Sequence, residues 1–166
     1  METVSSILKE FEGYGGLGIN WMMYGSGGQR IKKDGLVIER FKDHENDFNK
    51  DTCIKTIVNP RYTLSVCHVH YAAYVIRKFC VNTDKKKIES TPYSYGVFNK
   101  LRINHYFTKS YEEFLRKRQR GKADFIDDKR PFSDFYDHDR NQEKNDPIMN
   151  KYIPIIYRNI AERYKK

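Results

Sequence analysis

The stretch Asn104-His105-Tyr106-Phe107-Thr108-Lys109-Ser110 brings an imidazole, an ammonium and a hydroxyl close together. An imidazole can ligate a divalent metal or bind a phosphate oxygen, and an ammonium adds a full positive charge. If a strand ends and a helix begins here, the free N–H groups of the first helical turn also favour an anion. The alternative is structural, with His105 satisfied in a core and Ser110 acting as a cap. Just downstream, Arg116-Lys117-Arg118-Gln119-Arg120-Gly121-Lys122 carries five basic residues in seven. On a helix these spread around most of the circumference, so a solvated face accounts for most of them. Lys117 and Arg120 share a face at i, i+3 and are the pair best placed for a phosphate. Aromatic residues are not interleaved here, which makes the signal for single-stranded nucleic acid weak.

Three other constellations carry less. His68-Val69-His70 sets two imidazoles on one face of a strand, a spacing that can chelate zinc, but no third ligand follows at a recognisable distance. Asp134, Asp137, His138 and Asp139 are hard ligands in a charged loop, where a solvent-exposed acidic stretch is the simpler account. Gly25-Ser26-Gly27-Gly28 lacks the lysine and spacing of a P-loop, and fits either a loop beside an active site or a plain turn. Cys53, Cys67 and Cys80 form no C-x-x-C, and their odd number suits reduced, buried thiols in a cytoplasmic setting.

Positioning these groups requires the following elements. Val4, Ile7, Leu8 and Phe11 recur at helical steps, with Thr3 or Ser5 as cap and Gly13, Gly15 and Gly16 as the stop. Gly18 to Tyr24 reads as a buried strand, closed by the glycine turn. Leu36 to Phe41 and Cys53 to Val58 read as strands, Leu64 to Val81 as one or two more, and Arg102 to Phe107 as a short one. Ser110-x-x-Glu113 has capping-box spacing and predicts a helix that stops at Gly121. The segment 125–146 is polar and irregular, with a short helix. Asp146-Pro147 predicts the start of a last helix towards Tyr164, kinked or restarted at Pro154.

The chain of 166 residues suits a single domain, or part of one, over 1–166. No run approaches the roughly 18–20 apolar residues of a membrane-spanning helix, which excludes an intrinsic membrane protein of that kind. The formal net charge of +9 is uneven, with 11 basic and 9 acidic residues in 1–83 against 20 and 13 in 84–166. Such an excess concentrates polyanions without choosing among nucleic acid, anionic lipid and a nucleotide diphosphate. A basic nucleic-acid-binding module is therefore the competing reading, and a peripheral position at a membrane stays open.

Taken in order, Trp21-Met22-Met23-Tyr24-Gly25-Ser26-Gly27-Gly28, Gly35-Leu36-Val37-Ile38-Glu39-Arg40-Phe41, Ile54-Lys55-Thr56-Ile57-Val58-Asn59-Pro60 and Ile103 to Ser110, followed by Glu113-Phe114, Lys117, Arg120 and Gly121, form a set. This set resembles the C-terminal half of the glycosyltransferase family 92 group and its bacterial family 2-like relatives, from about Phe11 to Asp124. The resemblance implies the C-terminal part of an α/β, GT-A-type nucleotide-sugar transferase fold, a mixed sheet with flanking helices. It implies sugar transfer from a nucleotide-sugar donor to a glycan or other hydroxyl acceptor, usually with Mn²⁺ or Mg²⁺ as a Lewis acid. His105 would be a late contact to metal or diphosphate, and Lys109 and Arg120 would neutralise diphosphate charge. Trp21 and the loop with Gly25 and Ser26 would line the sugar or acceptor pocket. Glu39 is the candidate base only as a carboxylate within a matching segment. Position 28 is Gly where relatives commonly carry His.

The family's Rossmann-like half, with its Asp-x-Asp metal motif, would precede Phe11 by about a hundred residues, whereas ten precede it here. The expectation is therefore an acceptor-side half, inactive alone and partnered by a complementary N-terminal polypeptide, with an exposed apolar sheet edge or face.

Overall fold

The computed structural model describes residues 3–47, 49–50, 52–89, 93–122 and 128–164. Asp124 and residues 125–127, which bound the family resemblance and the polar segment, lie outside them. The elements in chain order are α1 (Val4–Lys9), β1 (Gly16–Met23), α2 (Val37–Arg40), β2 (Ile54–Val58), β3 (Thr63–His68), β4 (Tyr71–Tyr74), β5 (Cys80–Val81), β6 (Ile103–His105), α3 (Tyr111–Arg120), α4 (Ser133–His138) and α5 (Ile153–Arg163). The protein is a mixed α/β structure. Its four-stranded sheet has β1 between antiparallel β2 and parallel β5, with β6 also pairing β1, and β3 and β4 form a separate hairpin. Among the described residues no helix is long and apolar enough to cross a membrane.

The chain forms two compact units, Met1–Met22 with Asp47–Asn104, and Met23–Asn46 with His105–Lys166. In the first, the period of two puts Leu17 and Ile19 on one face of β1, where Ile7 and Phe11 from the α1 segment and Val81 complete a core. The opposite face meets Ile54, Cys80 and Ile88. A Cβ at Gly18 would come within 2.5 Å of Ile88 Cδ1 and 2.9 Å of Ile54 Cδ1, so those side chains would have to shift. The hairpin strand β3 presents Leu64 at 67% and Val66 at 70% exposure. In the second unit, Phe114 of α3 and Phe135 of α4 meet edge to face at 5.5 Å and both are buried.

Several sequence expectations are corrected. Leu36 to Phe41 contains the helical turn α2, where a strand was expected. Its β-branched run favours a strand locally, but the Arg40 side chain is drawn into a buried ion pair with Glu113 Oε2 at 2.7 Å, and the Glu39 carboxylate caps the turn through the Leu36 N–H. The stretch from Leu64 to Val81 holds parts of three strands, because irregular register and a turn at Val69 and His70 divide it. Asp146-Pro147 does not start an α-helix. Asp146 Oδ1 instead accepts the Ile148 N–H at 2.9 Å, and α5 begins at Ile153 with Pro154 in its first turn, where a missing donor costs nothing. The thiols also differ: Cys80 is buried, Cys53 half-buried and Cys67 exposed.

Candidate functional site

The handover from β6 to α3 is built as its spacing predicts. Ser110 is the N-cap, its Oγ accepting the Glu113 N–H at 3.3 Å and donating to Glu113 Oε2 at 2.7 Å. Ser110 is fully buried, so this hydroxyl is committed to the cap and is not offered to a ligand. Burial pushes the Glu113 carboxyl up, but hydrogen bonds from Arg40 and Ser110 and the Arg40 charge hold it below its ordinary value. Lys109, immediately before the cap, has a left-handed backbone with φ of 54°, which a non-glycine residue adopts at a cost.

Once started, α3 carries Glu113, Arg116, Lys117 and Arg120 at steps of three and four, on one side of the helix. With Thr108 and Lys109 from the preceding turn and Lys32 from the loop before α2, they line a cavity of about 510 Å³. Five cationic side chains meet one carboxylate there, and that carboxylate is already paired with Arg40. Lys32 is brought in by Glu112, whose carboxylate accepts the Lys32 N–H at 2.8 Å and pairs with Arg116 at 2.7 Å. Lys109 and Arg120 have no ion-pair partner among the described residues.

Lys117 registers the crowding. Its ammonium donates to the Phe107 carbonyl oxygen at 2.9 Å and lies 3.7 Å from the centroid of the same residue's ring. Burial first, then the charges of Arg130, Lys109 and Arg120, bring its pKa down to about 8, against a small opposing pull from Asp134. Thr108 is 1% exposed, and its Oγ has no hydrogen-bond partner among the described residues. Such an arrangement stabilises multiply charged oxyanions by charge and by directed donors.

The other sequence candidates are placed elsewhere. His105 closes β6 and is not among the residues lining this cavity; its Nδ1 lies 3.4 Å from Met23 Sδ. Glu39 lines a second, smaller cavity with Gly27, Lys42 and Asp43, and its Oε2 accepts the Tyr157 hydroxyl at 2.7 Å. Ser26 is buried and latched to Asp139, with its N–H on Oδ1 at 2.5 Å and its Oγ on Oδ2 at 3.0 Å. Gly25 is required beside it, because a Cβ would run into the Arg140 carbonyl oxygen. Asp139 thus acts as a loop latch within the acidic cluster. Trp21 belongs to the first unit, where its ring stands 5.4 Å from that of His70 and 5.6 Å from Lys55 Nζ. His68 and His70 stack at 5.1 Å, with His70 Nδ1 held 2.6 Å from the Ile54 carbonyl oxygen.

The resemblance brings Mn²⁺ or Mg²⁺, which prefer several oxygen ligands. Among the described residues no three His, Cys, Asp or Glu side chains are grouped to hold an ion. Sequence reasoning picked Lys109, Lys117 and Arg120 and missed Lys32 and Thr108. Lys32 carried no local signal, since its place depends on Glu112, eighty positions away. Comparison with family models, curated proteins and solved structures gives no match.

Proposed function

We propose that this chain forms the C-terminal, acceptor-side part of a GT-A-type glycosyltransferase, and that its cationic cavity holds the diphosphate of a nucleotide-sugar. The observation that carries the reading is the convergence of Lys109, Lys117 and Arg120 on one cavity of about 510 Å³, with Lys32 and Arg116 added. Its size falls in the range of small-ligand sites, roughly 300–1,000 Å³. In transfer of a sugar, negative charge accumulates on the departing nucleoside diphosphate, and fixed cations stabilise it. Lys109 and Arg120 supply charge with no ion-pair partner among the described residues, and Lys117 supplies a donor held in place by Phe107. In this reading the metal carboxylates come from the family's Rossmann-like half. Glu39 serves as a cap and a tyrosine acceptor in this structure.

The reading is tested by equilibrium binding of UDP-sugars to the purified chain, with and without Mn²⁺, and with a short duplex DNA and a single-stranded RNA as competitors. Saturable UDP-sugar binding that Lys109→Ala and Arg120→Ala weaken supports the transferase. Nucleic-acid binding with a steep salt dependence, indifferent to UDP-sugars, replaces it with the nucleic-acid module.

A further inference from the structure

We infer that Thr108 is a ligand-binding residue of the cationic cavity, its buried hydroxyl donating a hydrogen bond to a phosphate oxygen of a diphosphate group. Three observations converge. Thr108 is among the residues that line the cavity, it is 1% exposed, and its Oγ has no hydrogen-bond partner among the described residues. A buried hydroxyl without a partner is destabilising, and valine has nearly the same shape without that cost. The neighbours are chosen for an anion, since Lys109 follows directly and Lys117 and Arg120 face the same space. A hydroxyl donates one hydrogen bond without adding charge, so it orients an oxyanion that the lysines and arginine attract.

The row of cations suggests the size of the group. From Arg116 to Arg120 the helix advances about 6 Å, at roughly 1.5 Å per residue. Lys109 and Thr108 stand at the turn before the helix. Such a row matches two linked phosphates better than one tetrahedral anion. Ser110, the hydroxyl that the sequence puts forward, is excluded by its bond to Glu113. This inference rests on the cavity being an oxyanion site and not on the identity of any nucleotide.

The test is calorimetric titration of the chain with inorganic pyrophosphate, alongside thermal unfolding without ligand. Thr108→Val is expected to unfold at the same temperature as the unaltered chain or higher, yet to bind pyrophosphate about tenfold more weakly, as for a lost charge-assisted hydrogen bond. Thr108→Ser, which keeps the hydroxyl, is expected to restore most of the affinity. Equal affinity in Thr108→Val and the unaltered chain overturns the inference, as does equal loss in the Ser and Val variants, which would mark a packing role. If Thr108→Val does not fold, Thr108→Ser against Thr108→Ala makes the same comparison. No pyrophosphate binding by the unaltered chain also overturns it. Pyrophosphate binding that depends on Thr108, with no affinity for UDP-sugars, leaves this inference standing and ends the transferase reading. UDP-sugar binding with an indifferent Thr108 does the reverse.

Discussion

Lys117 and Phe107 meet twice, with the ammonium on the Phe107 carbonyl oxygen at 2.9 Å and 3.7 Å from the centre of its ring. The double contact fixes one long, flexible cation near the end of α3 and offsets part of the cost of holding it among Lys109, Arg120 and Arg130. A charge held against repulsion in this way is the most sensitive reporter in the cavity.

Anion binding should weaken as pH rises through about 8, where Lys117 loses its proton. The free protein should behave oppositely. Its folded amine holds the proton less tightly than the unfolded one, so stability rises with pH from about 8 towards the ordinary lysine value. Pyrophosphate titrations at pH 7 and pH 9 check the first statement, and urea unfolding over the same range checks the second. Lys117→Met should flatten both profiles.

Lys109 combines an ammonium that has no ion-pair partner among the described residues with a left-handed backbone, φ 54°. Lys109→Gly should leave stability unchanged within about 1 kcal/mol, because glycine adopts that conformation freely. Pyrophosphate affinity should nevertheless fall several-fold from the lost charge. Thermal unfolding and calorimetry on the same sample separate the two effects.

Arg40 and Glu113 form a largely buried pair at 2.7 Å, and the same carboxylate receives the Ser110 hydroxyl. Arg40→Ala should cost about 3–5 kcal/mol by leaving the carboxylate uncompensated. Because the folded Glu113 carboxyl is held below its ordinary value, its stabilisation is present at neutral pH. That contribution is lost as pH falls through the carboxylate range and below. Denaturant unfolding at pH 7 and pH 3 should show a smaller pH difference in Arg40→Ala than in the unaltered chain.

Asp139 holds the glycine turn through the N–H and hydroxyl of Ser26. Asp139→Ala should destabilise by about 2–4 kcal/mol, the loss of two charge-assisted bonds at a partly buried site. Amide hydrogen exchange should speed up at Ser26 and Gly28, since the Gly28 N–H is itself bonded to the Ser26 hydroxyl at 3.0 Å. Pyrophosphate affinity should change little, as neither Ser26 nor Asp139 lines the cationic cavity.

Local sequence was sufficient where one or two neighbouring residues decide the outcome. Ser110 and Glu113 specify the start of α3 and Gly121 its end, and the run of large side chains from Gly18 marks most of β1, which extends over Gly16–Met23, because caps and short apolar runs act over a few positions. The facing of Lys117 and Arg120 follows from the helical period in the same way. Local sequence failed at Leu36 to Phe41, where the β-branched run points to a strand and a buried ion pair to Glu113, 73 positions away, is made from a helical turn. The paired roles of Ser26 and Asp139 and the arrival of Lys32 at the cavity are likewise long-range. The orphaned state of the Thr108 hydroxyl depends on what surrounds it in space. No local pattern encodes these relations, because burial and charge pairing are set by residues that meet only after the chain has folded.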